Sequence, residues 1–340
     1  MADTFNYRID HHGSLVRPAG LTGPGGDPAA LDEAVEAAVA LQRKVRSTVV
    51  TDGGFPYEDF RGAVLGGVSG FRRTGETGPD GLVRWVAESP PEADGPLAAG
   101  RAARLAELTV IAPKVSLPSP AYLAATTFDP ALAGSGGPAS ARELGEALAE
   151  IIRAEIELLV SRGVRLVQLD NPLLLGHVAA GPAAPGALSF EDTLAVEALA
   201  VRLDERTEGA RIGVCPGRRA PDEVDGARAG RLYGEIPADR WILPYDRGTA
   251  AELDLLRALP EDRDVCLGVV DATTPELEEI DTVLARIDAA AEIKDIEDMA
   301  LSPSRGFADI ATRPLVGAED QRRKLVLVET LARYCWGNEF

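Results

Sequence analysis

The chain has 340 residues, 45% of them apolar, and a net charge of −19 from 54 acidic and 35 basic side chains. That length allows one large domain or two medium ones, and the apolar fraction can furnish a sizeable core. So negative a surface excludes a nucleic-acid backbone or an anionic bilayer as partner, because both would be repelled. Cys215, Cys266 and Cys335 are sparse and far apart, which fits a reducing compartment and not a disulfide framework. Met1–Asp10 is polar, without a signal peptide's apolar core, and no run is long enough to span a membrane. A cytoplasmic location is the expectation.

In chain order, Tyr7–Leu15 reads as a first strand, running into His11-His12-Gly13-Ser14. Leu31–Val45 has helical periodicity, and Ser47–Thr51 is a β-branched strand broken at Asp52-Gly53-Gly54. The Gly-rich stretch 57–96 interrupts the pattern; alternation over Gly81–Ser89 predicts an inserted hairpin. A strand over Thr109–Ala112 leads to Pro118-Ser119-Pro120, and Ala141–Arg162 is a long amphipathic helix stopped by Gly163. Then come strand Arg165–Asp170, an Ala/Gly/Pro loop at Ala179–Leu188, helix Phe190–Leu203, strand Arg211–Cys215 and a short helix at Pro221–Gly230. Strand Trp241–Tyr245, helix Thr249–Leu259, strand Val265–Val270, helix Pro275–Glu292, strand Met299–Leu301 and helix Glu319–Tyr334 complete the chain.

Eight strand-then-helix units, with strands apolar on both faces, predict a parallel α/β sheet closed as a single (β/α)8 TIM barrel spanning 1–340. Chemistry in such a barrel sits at the C-terminal strand ends. Here those ends carry Asp52, Asp170-Asn171, Cys215, Tyr245-Asp246 and Asp271, with polar residues recurring at the same place in each unit. Each alone could simply cap the next helix; the recurrence points to a site.

These strand ends carry a resemblance. Gly13–Pro18 (G-S-L-V-R-P), Thr51–Phe55 (T-D-G-G-F), Val167–Pro172 (V-Q-L-D-N-P), Gly213–Gly217 (G-V-C-P-G), Leu267–Glu278, Ala300–Phe307 (A-L-S-P-S-R-G-F) and Glu319–Leu325 run nearly end to end in order. The chain resembles the cobalamin-independent methionine synthase family, in its short single-barrel form. The resemblance implies a barrel whose mouth holds a zinc ion, a thiol substrate activated as thiolate, and a folate methyl donor. It also implies ligands in an H-x-C pair, a Glu and a final Cys. At those positions this chain has Gly213 and Cys215, Pro244, and Arg305. One thiolate cannot hold a tetrahedral zinc, and a fixed cation opposes a divalent one. No metal is therefore expected. Gly54 stands where the family's substrate-reading Glu would be, and Thr273 or Thr274 where a proton-donating His would be.

The candidate catalytic residues are Asp170, His11, His12, Cys215 and Tyr245; the candidate substrate-binding residues are Gly13, Ser14, Arg17, Asp52, Asn171, Asp246 and Arg305. His11 and His12 straddle a strand, so one alone can face the barrel axis. Arg305 opposite Cys215 would lower the thiol pKa, and Arg305 with Arg17 could clamp a carboxylate or phosphate. His177 falls in a Gly-rich loop and suits a lid or an exposed position.

Three readings follow. The first is a metal-free enzyme, of lyase, decarboxylase, isomerase or transfer type, acting on a small anionic or thiol/amino-acid-like substrate. The uroporphyrinogen decarboxylases, which share the barrel type, work by Arg and Asp in this way; that is analogy of fold. The second is a methyltransferase using 5-methyltetrahydrofolate. The third is a non-catalytic paralogue that binds a ligand. The expected partner is a small molecule, and self-association stays open.

Overall fold

The computed structural model describes residues 7–21, 27–78, 80–181, 187–203 and 207–338. Its elements, in chain order, begin with α1 (Pro28–Lys44), β1 (Val49–Val50), α2 (Gly62–Leu65), β2 (Val68–Thr77), β3 (Val83–Ala93) and α3 (Ala99–Leu108). Next come β4 (Ala112–Pro118), α4 (Pro120–Thr127), α5 (Ala141–Ser161), β5 (Leu166–Asp170), α6 (Leu174–His177) and α7 (Phe190–Val201). Then follow β6 (Arg211–Cys215), α8 (Gly226–Glu235), β7 (Arg240–Pro244), α9 (Ala250–Arg257), β8 (Asp264–Val270) and α10 (Ile280–Ala291). The chain ends with β9 (Met299–Pro303), β10 (Ala308–Ile310), β11 (Arg313–Pro314) and α11 (Ala318–Trp336).

One seven-stranded parallel sheet runs β1-β4-β5-β6-β7-β8-β9. It curls so that one short segment touches both of its edges. Asp10 N donates to Leu301 O at 2.9 Å and Leu301 N to Arg8 O at 2.8 Å, while Thr48 N donates to Ile9 O at 3.1 Å. Of the strand expected over Tyr7–Leu15, the structure forms isolated bridges at Ile9 and Ser14. β2 and β3 pair antiparallel as a separate ribbon.

The sheet is parallel because helices cross between its strands, and its central strands are buried on both faces, as their unbroken apolar runs require. Polar caps start the helices. Ser140 accepts from Glu143 N, Ser189 from Asp192 N, and Thr249 and Glu252 form a reciprocal capping box.

Three predicted boundaries move. The strand expected at Thr109–Ala112 lies at Ala112–Pro118. The helix expected at Pro221–Gly230 starts at Gly226, where Asp225 accepts from Ala227 N and Arg228 N. The helix expected from Pro275 starts at Ile280; before it, Glu278 accepts from Asp271 N at 2.6 Å. Residues 182–186 of the predicted Ala/Gly/Pro loop lie outside the described residues. Among the described residues, no helix is long and apolar enough to cross a membrane.

Candidate active site

The C-terminal strand ends open on two adjoining clefts. The smaller, about 480 Å³, is lined by His12, Ser14, Asp170, Cys215, Arg218 and Asp309 among others. The larger, about 660 Å³ and open to solvent, is lined by Asp52, Tyr57, Arg101 and Leu105. Gly13, Ser14, Phe60 and Asp170 form the wall between them. Gly13 has φ +75°, and a side chain there would meet the backbone of Gly306 at 2.9 Å. Glycine lets these two loops touch at the wall.

The floor is set by register. Asp170 pairs with Cys215 across β5 and β6, so their side chains leave the sheet at one level. His12 arrives from the segment that joins the sheet edges; its Nε2 lies 2.9 Å from Cys215 Sγ. The donor atoms of His12, Asp170 and Cys215 all lie within 4.8 Å of one another. Gln168 Nε2 donates to Asp170 Oδ1 at 2.6 Å.

Burial dominates the protonation states here. It pushes Asp170 up to about 6, against the pull of Gln168 and Lys114. It pushes His12 down to about 3, helped by the charges of Lys114 and Arg218. It raises Cys215, as does the Asp170 charge. The expectation that Arg305 would lower the thiol pKa is thus overturned: desolvation outweighs the surrounding cations. Near neutral pH, Cys215 is a thiol and His12 an uncharged imidazole. Asp170 is left as the group able to gain or lose a proton. In the native protein, Cys215 is expected to react with iodoacetamide at least about a hundredfold more slowly than an exposed free cysteine. Peptide mapping against time of alkylation measures this, and rapid labelling of Cys215 would contradict the assignment.

The rim is cationic. Arg218 donates to Asp309 Oδ1 at 2.8 Å, and Arg305 donates to the same oxygen. Arg305 has a buried Nε without a hydrogen-bond partner. Arg218 therefore lines the cleft, and Arg305 sits next to it through their shared partner Asp309.

Of the other expected site residues, Asp52 lines the larger cleft, and His11, Arg17, Tyr245 and Asp246 line neither. His11 Nε2 lies 2.6 Å from Ser47 Oγ, away from both clefts. Arg17 donates to Tyr57 O at 2.8 Å, bracing a loop. Tyr245 donates to Arg286 O at 2.8 Å, and the carbonyl of Asp246 accepts from Arg286. Asp52 lines the larger cleft and accepts from Gly54 N at 2.8 Å. His177 stacks on Phe190, with ring centroids 5.5 Å apart.

Asn171 also points away from the clefts, donating to Glu197 Oε1 at 2.5 Å. Ser119 donates to the same oxygen at 2.5 Å. This buried carboxyl on α7 ties two strand ends together, and burial pushes its pKa up to about 7. Because the folded-state pKa lies above the unfolded one, the stabilising contribution is full below about 4.5 and is lost as pH rises through about 7. Glu197→Gln keeps the accepting oxygen and cannot ionise. Urea denaturation is expected to show it gaining about 2–3 kcal/mol on wild type between pH 5 and 8. Parallel stability curves would contradict this.

Of the family's zinc ligand positions, Cys215 alone keeps a donor that binds zinc. Gly213 offers no donor, and a side chain there would have to displace Ile242 Cδ1, 3.1 Å away, by a few tenths of an ångström. Pro244 offers no donor, and Arg305 is a cation paired with Asp309. Gly54 has φ +71°, and a side chain there would meet Ser14 Oγ at 2.4 Å, so a glutamate in its place would be strained and would have to displace Ser14. Sequence reasoning missed Arg218, Lys114, Asp309 and Glu197. Lys114 and Glu197 carried a signal, since each is a charge on an otherwise inward-facing apolar pattern.

No family model matches the chain. Its fold is similar to the provisionally assigned vitamin-B12-independent methionine synthase of Listeria monocytogenes: TM-score 0.74, 22% identity, 98% of each chain covered. It is similar also to the B12-independent methionine synthase of Shewanella sp. W3-18-1, solved with selenomethionine: TM-score 0.76, 17% identity, covering 96% of this chain and 97% of that one. In sequence it is 24% identical over 160 residues to the methionine synthase of Pyrococcus furiosus, 47% of this chain and 42% of that protein. The matches span 42–62% of the length of the curated relatives. The resemblance read from the sequence is thus met in both sequence and fold.

Proposed function

We propose that this methionine-synthase-like chain is a single closed (β/α)8-barrel enzyme that binds a small anionic substrate at its strand ends and works without the family's zinc. The observation that carries the reading is the rim: two guanidinium groups, Arg218 and Arg305, share one carboxylate oxygen of Asp309. Two guanidiniums on one carboxylate give this side of the cleft an excess of positive charge, in the same cleft as Asp170, His12 and Cys215. A substrate carboxylate or phosphate supplies the missing partner. Asp170, its pKa pushed up to about 6 by burial, then carries the proton. His12 and Cys215 act as neutral hydrogen-bonding groups against the reacting atoms. Ser14, on the wall between the clefts, orients the substrate. This suits a lyase, decarboxylase or isomerase.

A second reading, methyl transfer from a folate to a thiol, is favoured by one feature. The clefts adjoin across Ser14 and Asp170, so two substrates could meet there.

Calorimetric titration with inorganic phosphate and succinate tests the first reading. Wild type is expected to bind one of them. Arg218→Ala should weaken that binding at least about tenfold, and Asp309→Asn, which frees both cations, should strengthen it. Binding that is unaffected by either substitution would remove the anion site from the reading.

A further inference from the structure

We propose that His12, Asp170 and Cys215 form a site for a soft divalent cation such as Zn²⁺ or Cd²⁺, with a ligand set unlike the one the resembled family implies. Three independent segments bring an imidazole nitrogen, a carboxylate oxygen and a thiol sulfur within 4.8 Å of one another. In a tetrahedral zinc site, bonds of about 2.0–2.3 Å place donor atoms roughly 3.3–3.8 Å apart. Small rotations about the side-chain torsions therefore bring these three donors into range. Asp170 and Cys215 are held level by the β5–β6 register. His12 is 9% exposed, and its Nδ1 is buried without a hydrogen-bond partner. The ring is oriented by the Nε2 contact to Cys215 Sγ, so the nitrogen already faces the other donors. All three residues line the smaller cleft. The fourth coordination position opens into that space, as in metal sites that keep an exchangeable ligand.

Binding replaces the Cys215 S–H bond by an S–metal bond and releases the proton to solvent, with no change in oxidation state. Imidazole and thiolate select a soft or borderline ion over Mg²⁺ or Ca²⁺. Lys114, Arg218 and Arg305 surround the site and hold its affinity below that of a closed structural zinc site. The consequence for activity, but not the binding, rests on the reading above. An ion on Asp170 removes the proton carrier, so the metal acts as an inhibitor.

The test is titration of the chelator-treated full chain with Co²⁺. One ion per chain is expected, with the intense near-ultraviolet band of a thiolate-to-cobalt bond, displaced by Zn²⁺ or Cd²⁺ and unaffected by excess Mg²⁺. Cys215→Ser should abolish the band, and His12→Ala and Asp170→Asn should each weaken binding at least about tenfold. Far-UV circular dichroism checks that each variant is folded. The absence of the band in wild type, or its persistence in folded Cys215→Ser, would overturn the site and leave the anion reading standing. Protein that purifies with one zinc per chain, lost in Cys215→Ser, would support the site and overturn the metal-free part of the reading instead.

Discussion

Replacing Glu155 by alanine is expected to cost about 3–4 kcal/mol of stability in urea denaturation, one of the largest single-residue effects in the chain. Glu155 lies on α5 and is 4% exposed. Its carboxylate accepts from Leu97 N at 2.9 Å and from Ala98 N and Ala99 N at 2.8 Å each. Those are the orphan donors at the start of α3, which has no capping side chain of its own. Alanine would bury three backbone donors with nothing to accept them. Glutamine keeps one accepting oxygen but turns its amide hydrogens toward another donor, so an intermediate loss is expected. The effect should reach the site, because α3 carries Arg101, Ala102 and Leu105 of the larger cleft. A loss below about 1 kcal/mol would mean that water replaces the carboxylate, contradicting the assignment.

Asp10→Ala is the second large effect, expected at about 3–5 kcal/mol by the same measurement. Asp10 and Lys114 are 1% and 0% exposed and 2.5 Å apart beneath the site floor. Lys114 Nζ also donates to His11 O at 2.8 Å. Arg240 NH1 lies 3.8 Å from the other Asp10 oxygen. Removing the carboxylate takes from the fully buried Lys114 the one carboxylate paired with it among the described residues. Lys114→Met should cost less, because Asp10 keeps Arg240 nearby and the backbone N–H of His11, which donates at 2.6 Å. The reverse order would show that Lys114, and not Asp10, holds the cluster together. The same cluster sets the floor, since the Lys114 charge helps to hold His12 neutral.

How far the sequence could be read follows from these residues. The central strands declared themselves because burial on both faces demands unbroken apolar runs, as in Ile212–Val214 and Leu267–Val270. β4 did not, because Lys114 interrupts its run while the β-branched T-V-I just before it imitates a strand. Val110 there is 104% exposed. The helix start misread at Pro275 has a similar origin, since proline suits a first turn but the chain spends that stretch on the Glu278 contact to Asp271.

Asp170, Ser14, His12 and Cys215 were legible as a site because parallel-strand register brings strand ends to one level. Asn171, Tyr245 and Arg17 lie close to those ends but are bonded elsewhere, and direction is not written in spacing. Arg218 follows Cys215 by three residues and looked like an ordinary turn arginine. The carboxylate that recruits it, Asp309, lies 91 residues further on. The thiol pKa was misjudged because charge was legible and desolvation was not.

A crystal structure after a selenate soak, phased at the selenium edge, tests the central claim most directly. The account expects an anomalous peak within hydrogen-bond reach of Arg218 and Arg305, in the same cleft as Asp170, with Asp309 displaced from at least one guanidinium. An undisturbed Asp309 bridging both arginines at saturating selenate, with no peak at that rim, would contradict it.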